Sequence, residues 1–281
     1  VFFQAEELSI RSKMPSIQFP AAIYAHYRPS YPSQLFIVIR QWAEQAGVAL
    51  PAVIADIGCG TGNSALGVFR AGLASRLICV EPDQKMLEQA RVHFDLSRVA
   101  VEYLCAPGER TGLGVGDVDI LFCASAFHWM DRELAAAEFF RVLRRPGLIV
   151  FAEYRFPRSE RRAEFDAWIE AKLESDWQIP ELATRKPFAE MVDIFAKQPP
   201  AGTKVISTNI VPVPMIQQMT SHEMVGFIRS QSRYTRTRAL LGSESAQEQF
   251  DRETEAKVHS LLGAQSEQFD FHLKAAGFFV S

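Results

Sequence analysis

Several features that mark large classes of protein are scarce or missing here. Four cysteines in 281 residues, Cys59, Cys79, Cys105 and Cys123, include no CxxC pair, so neither a disulfide scaffold nor a zinc ribbon is indicated. No metal-ligand spacing accompanies them. Small buried thiols in a sheet are the expectation, in a reduced, cytoplasmic protein without a metal. No apolar run approaches the roughly 18–20 residues of a membrane span. Excess positive charge is also missing: 30 Lys and Arg stand against 33 Asp and Glu, which leaves no electrostatic footprint for nucleic acid. The opening VFFQAEELSI is too short and too acidic for a signal peptide. Residues 1–19 are read as a native arm or an added leader, with Met14 opening a stretch that reads like a natural start. No repeat, low-complexity tract or linker divides the chain.

What is present is a pattern of apolar runs alternating with helical periodicity. Strands are expected at 52–58, 76–82, 99–105, 118–124 and 147–154, rich in Val, Ile and Leu, as when helices cover both faces of a parallel sheet. Helices are expected at 33–47, 63–72, 83–94 and 132–144, with Ser33 and Asp83 as caps and Gly47 as a stop. Alternation of this kind implies right-handed βαβ units. Beyond Tyr154 the rhythm changes to helices at 159–177, 181–197, 220–234 and 244–262, with strands at 203–213 and 266–280. A capping box joins Thr220 to Glu223. The expected fold is therefore α/β: a Rossmann-like, doubly wound, seven-stranded sheet, mostly parallel with a late antiparallel strand. Helical cap insertions are expected at about 155–200 and 218–263 within a single domain of residues 20–281.

The first strand ends in VIADIGCGTGNSAL, where Asp56 precedes Gly58, Gly60 and Gly62 and a helix follows. In an open parallel sheet, ligands bind beyond the carboxyl ends of the strands, where strand order reverses. Glycines there let the main chain bend sharply and let a ligand approach closely. Glu81 ends the second strand, where a carboxylate can accept both hydroxyls of a ribose. The dinucleotide fingerprint G-x-G-x-x-G would need glycine at Asn63, so an NAD enzyme is the weaker reading.

ADIGCGTGNSA followed by CVEPDQKMLEQAR resembles the first two motifs of class I S-adenosylmethionine-dependent methyltransferases. The resemblance continues through VEYLCAPGERTGLGVGDVDILFCASAFHWMD and FFRVLRRPGLIVFAEY. YAHYRPSYP and FIRSQSRY resemble the small-molecule branch that includes trans-aconitate methyltransferase and its relatives. It implies S-adenosylmethionine as cofactor and S-adenosylhomocysteine as product. It also implies that Gly58, Cys59, Gly60 and Gly62 pack under the methionine and ribose, with Asp56 supporting the turn. Glu81 would hold the ribose, Pro82 and Met86 would flank the adenine, and Ser125 and Ala126 would sit by the methionine end. Pro107 stands where the family carries an adenine-binding Asp, which leaves adenine to the backbone around Ala106 and Gly108.

Methyl transfer from a sulfonium needs alignment and a dry pocket more than acid–base help. His128, after the fourth strand, is either a base or part of the pocket wall; Trp129 reads as a substrate or cofactor contact. Tyr24, His26, Tyr27 and Arg28 lie on a segment able to fold over the cofactor, and Tyr24, Tyr27 and Arg28 are candidate substrate contacts. Arg229, Arg233 and Arg236 would make a basic stripe on one helix, and Ser232 and Arg233 are candidate contacts to an acidic substrate. The expected reaction is O-methylation of a small carboxylic acid. Methylation at carbon or nitrogen, and a non-catalytic cofactor-binding regulator, are the alternatives. Oligomeric state is not written in the sequence.

Overall fold

A computed structural model describes residues 20–94, 100–177 and 186–281. The Val-, Ile- and Leu-rich runs form β1 (Ala52–Ile57), β2 (Ala74–Val80), β3 (Ala100–Leu104), β4 (Val118–Ala124) and β5 (Leu143–Glu153). All pair in parallel. The helices between them are α3 (Asn63–Arg70), α4 (Gln84–Phe94) and α5 (Arg132–Val142), with α2 (Ser33–Gln45) ahead of β1. The sheet order is β3-β2-β1-β4-β5-β10-β6, and β10 (Leu273–Val280) lies antiparallel beside β5. Two short strands, β6 (Val205–Ser207) and β7 (Val211–Val213), both pair with β10 and share the last place. The sheet thus has the expected seven places, mostly parallel with an antiparallel late strand.

Apolar clusters cover both faces of this sheet. On one face the helix α7 (Phe188–Ala196) turns Phe195 onto Phe151 and Phe278, at ring separations of 4.9 Å each. Truncating such a buried ring to alanine costs about 3–5 kcal/mol. Strand order reverses beside β1: the chain steps outward through β2 and β3, then returns to place β4 on the other flank. That reversal opens a crevice at the carboxyl ends of β1 and β4.

Several local expectations are corrected. The 203–213 strand is broken into β6 and β7 at Thr208, whose side-chain hydroxyl rather than its carbonyl accepts the Gly277 N–H. The 266–280 strand is also two. β9 (Glu267–Asp270) leaves the main sheet to pair with β8 (Ile216–Met219), which periodicity did not reveal. Between β9 and β10, His272 sits in the left-handed region at φ 47°, and its N–H donates to the Asp270 carboxylate at 2.8 Å. The 220–234 helix is α8 (Ser221–Arg229) and α9 (Ser232–Ala239), separated where Ser230 Oγ donates to the Phe227 carbonyl and Gln231 is extended. The capping box of α8 forms through Thr220 and Glu223.

Pro32, rather than Ser33, is the N-cap of α2. The 159–177 helix is α6 (Ala163–Ala171) prolonged by a π-helical turn. The first part of the 181–197 helix lies outside the described residues. α10 (Glu244–Leu262) matches its expected span, and α1 (Ala21–Tyr27), a helix not foreseen, lies against α8 and α4. Cys59, Cys79 and Cys123 are buried, but Cys105 is exposed. Among the described residues no helix is long and apolar enough to cross a membrane, and no group of three or more His, Cys, Asp or Glu is placed to hold a metal ion.

Candidate functional site

The turn after β1 is tied down by main-chain bonds from Gly58 and Cys59 to the Val80 carbonyl at the end of β2. Gly58, Gly60 and Gly62 have φ of 71°, 55° and 87°, a region costly for any residue with a Cβ. At Gly58 a Cβ would stand 2.4 Å from the Cβ of Ala126, so only a bare main chain passes beneath the β4 loop. Gly60 differs. A Cβ there would meet only Tyr24 and Met86, at 3.9 and 4.0 Å, and would project into the crevice. Gly108 has the same need for bareness, since a Cβ would lie 2.6 Å from the Met130 sulfur.

Glu81 closes one end of this crevice. Its two oxygens accept from the N–H groups of Gly60 and Asp83, each at 3.0 Å. The carboxylate is therefore held rigidly, with a further lone pair on each oxygen. Burial pushes it up to about 7. Asp56 lies wholly buried below the turn, accepts from Ser64 Oγ at 2.5 Å, and is likewise pushed up to about 7 by burial. The crevice is lined by Tyr24, Gly58, Gly60, Glu81, Pro82, Met86, Pro107, Gly108, Ser125, Ala126, Trp129 and Met130, among others. A nucleoside fits this chemistry: a fixed carboxylate for two hydroxyls, a bare main chain for close approach, and Pro82 and Met86 as apolar walls.

Ser125 marks the far end. It is left-handed at φ 53°, its N–H donates to the Ala152 carbonyl at 2.8 Å, and Tyr31 Oη donates to its hydroxyl at 3.3 Å. A non-glycine residue held in that region signals a constrained turn. Here the crevice meets a second cavity of about 710 Å³, and Tyr24, Ser125 and Trp129 line both. Its walls carry Arg28, Arg155, Arg158, Lys186, Arg233 and Lys274, with His128 and His272. Among the described residues, Glu153 is the carboxylate that lines it. His128 Nδ1 lies 3.8 Å from Glu153 Oε2, both side chains under a tenth exposed. The His128 ring also leans on Trp129, centroids 5.0 Å apart.

The expected residues separate into groups. Gly58, Gly60, Glu81, Pro82, Met86, Pro107, Gly108, Ser125 and Ala126 come together around the crevice. Asp56 and Gly62 lie under the turn, Gly62 as the N-cap of α3, while Cys59 lines a small recess next to the crevice. Ala106 lines neither cavity and packs against the apolar cluster of the sheet. Tyr24, Arg28, His128, Trp129, Ser232 and Arg233 line the larger cavity. Tyr27 does not. It packs on Gly226 of α8, where a Cβ would sit 2.3 Å from its ring, and its hydroxyl meets His222 Nε2 at 3.1 Å. Tyr27 fastens α1 to the cap. The basic stripe is also corrected: Arg229 ends α8 and pairs with Glu255 at 3.0 Å, while Arg233, on α9, donates to the Leu173 carbonyl at 2.9 Å.

Sequence reasoning missed Glu153, Tyr154, Arg155 and Lys274. The last of these comes from β10, more than a hundred residues beyond β5, where Lys274 is the register partner of Glu153. No local pattern signals that meeting.

Residues 55–151 match the family described as a methyltransferase domain. The chain is 30% identical over 142 residues to CRG1, a candidate S-adenosylmethionine-dependent methyltransferase of Saccharomyces cerevisiae, covering 50% of this chain and 47% of that protein. It is 34% identical over 113 residues to a malonyl-[acyl-carrier protein] O-methyltransferase of Laribacter hongkongensis, covering 36% and 37%. The chain spans about half the length, or less, of these curated relatives. A solved structure, a candidate type II methyltransferase of Anaeromyxobacter dehalogenans, superposes with a TM-score of 0.61 at 23% identity over 89% of this chain and 97% of that one. That likeness shows the fold.

Proposed function

We propose that this chain, whose residues 55–151 match a methyltransferase domain, is a class I S-adenosylmethionine-dependent methyltransferase that methylates an acidic small molecule, at an oxygen of a carboxylic acid. The supporting observation is the larger cavity, where six Lys and Arg side chains surround about 710 Å³ of space that joins the crevice at Tyr24, Ser125 and Trp129. Arginine forks and ammonium groups in a partly enclosed space favour carboxylates.

When bound, S-adenosylmethionine supplies a methyl group already activated on a sulfonium. Glu81 would hold its ribose, the main chain at Gly58 and Gly60 would lie against it, and Pro82 and Met86 would flank its base. The remaining work belongs to the cavity walls. Arg155 and Lys274 hold the acceptor anion by charge, and Tyr24 and Trp129 close the junction against water. A carboxylate is a nucleophile at neutral pH without a base, so alignment is the main demand.

A second reading, methylation at carbon or nitrogen, is favoured by the His128 and Glu153 pair at 3.8 Å. An imidazole backed by a buried carboxylate can take a proton from the acceptor. The test is S-adenosylhomocysteine release, measured across panels of carboxylic acids, amines and carbon acids. Turnover confined to anionic acids supports O-methylation. Turnover confined to amines or carbon acids supports the second reading. No turnover with any acceptor, with S-adenosylhomocysteine still bound, points to a non-catalytic regulator.

A further inference from the structure

Six Lys and Arg side chains line the larger cavity, but four of them are already engaged within the chain. Arg158 pairs with Glu170 at 3.1 Å and Lys186 with Glu190 at 2.7 Å. Arg28 donates to Tyr154 Oη at 3.1 Å and to the Ser230 carbonyl at 3.0 Å, and Arg233 donates to the Leu173 carbonyl at 2.9 Å. His272 lies 3.4 Å from the Asp270 carboxylate, and His128 faces Glu153. Among the described residues, that leaves the side chains of Arg155 and Lys274 to clamp an acceptor. Two cations suit one carboxylate rather than two or three. Much of the remaining wall is apolar. Trp129, Phe156, Leu173 and Pro187 line it, and none of them is fully buried, so each keeps apolar surface for a ligand. Phe156 is backed by Phe227, ring centroids 5.3 Å apart. Leu173 sits in the π-helical turn after α6, a kind of irregularity frequent at functional sites. The volume, about 710 Å³, falls in the range of sites for drug-sized ligands and far exceeds what a short-chain acid fills.

We propose that the acceptor is an amphipathic monocarboxylic acid, its carboxylate clamped by Arg155 and Lys274 and its extended apolar body lying against Phe156, Leu173 and Pro187. The inference rests on the O-methylation reading above and narrows its acceptor. Lys274 is the register partner of Glu153, and Glu153 lies beside His128, the residue before the Trp129 of the junction. The carboxylate is thereby held at the junction end. Phe156, Leu173 and Pro187 come from the segment after β5, the turn after α6 and the N-cap of α7, three places that together give the body its walls. The carboxylate oxygen forms the new bond to the methyl carbon as the sulfur–methyl bond breaks. The electron pair stays on the sulfur of S-adenosylhomocysteine, so no proton or further reactant is needed. Covering apolar walls with an apolar chain is worth up to about fourfold in binding per methylene.

The test measures S-adenosylhomocysteine release by the whole chain with butanoate, hexanoate, octanoate and decanoate, beside succinate and citrate. From butanoate to octanoate kcat/KM is expected to rise about a hundredfold, with succinate and citrate at or below butanoate. A flat or falling series, or a preference for succinate or citrate, overturns the inference and leaves O-methylation standing. No turnover of any acid, with S-adenosylhomocysteine still bound, overturns instead the reading on which it rests. Leu173→Gln, close in size but polar, should shrink the octanoate-to-butanoate ratio of kcat/KM about tenfold. Its affinity for S-adenosylhomocysteine, measured by calorimetry, should stay within about twofold, which shows that the variant folds. An unchanged ratio in that variant overturns the placement of the apolar body.

Discussion

The crevice beyond β1 and the cavity beside it share a wall, yet they are built by opposite means. The crevice is floored by bare turns at Gly58, Gly60 and Gly108, with one carboxylate, Glu81, locked by two N–H groups, and walled by Pro82 and Met86. The cavity is rich in cations, drawn from the residue after α1, the segment after β5, the segment before α7, the start of α9, and β10. A main-chain site admits one ligand shape and tolerates little change. A site lined by separate side chains can be rewritten one residue at a time, which on the proposed function suits it to choosing the acceptor.

The largest effect is expected where that contrast is sharpest. Gly58→Val combines a left-handed backbone with a Cβ 2.4 Å from Ala126, and should cost about 3 kcal/mol or more of stability. Calorimetry should find S-adenosylhomocysteine binding abolished. Gly60→Ala bears only the backbone strain, about 1–2 kcal/mol, because its Cβ would make only ordinary contacts with Tyr24 and Met86, at 3.9 and 4.0 Å. It should therefore fold while binding weakly. Equal behaviour of the two variants would break the distinction between a packed and an open glycine.

Next in size is charge reversal in the cavity. Lys274→Glu and Arg155→Glu should each raise the KM for an anionic acceptor about tenfold or more, while S-adenosylhomocysteine affinity stays within about twofold. A matching loss of cofactor affinity would show that the two regions are one site.

Glu81→Gln is expected to be milder and dependent on pH. The folded pKa of Glu81, about 7, lies above its ordinary 4.5. The folded chain thus keeps a proton that the unfolded chain releases between those values. The resulting stabilisation is fully present below about 4.5 and is lost as pH rises to about 7. The melting temperature of Glu81→Gln, which has no such proton, should gain on that of the wild type over this window. Wild-type affinity for S-adenosylhomocysteine should strengthen as Glu81 ionises near pH 7, and the variant should lose that part of the dependence. The smallest effect is His128→Gln, within about threefold in kcat if the acceptor is a carboxylate. A hundredfold loss would move the reading to methylation at carbon or nitrogen.

The same contrast explains what was legible in the sequence. Asp56 to Asn63 and Glu81 act through contiguous motifs, and a turn that must be bare can be read from its glycines. The seven places of the sheet followed from periodicity for a similar reason. The cavity was legible only in fragments. Arg28 and Arg233 stood out in aromatic and basic stretches, but Lys274 reaches the cavity that Arg155 also lines only because β10 returns beside β5, where Lys274 pairs with Glu153. Breaks in regular structure were also missed. Ser230 ends α8 by bonding its own preceding turn, and that break separates Arg229 from Arg233.

The most direct test is a calorimetric titration of S-adenosylhomocysteine into the wild-type chain, with NAD as the competing dinucleotide. The account predicts saturable binding of one S-adenosylhomocysteine per chain and none of NAD. Binding of NAD, or no S-adenosylhomocysteine binding at millimolar concentration, would contradict it.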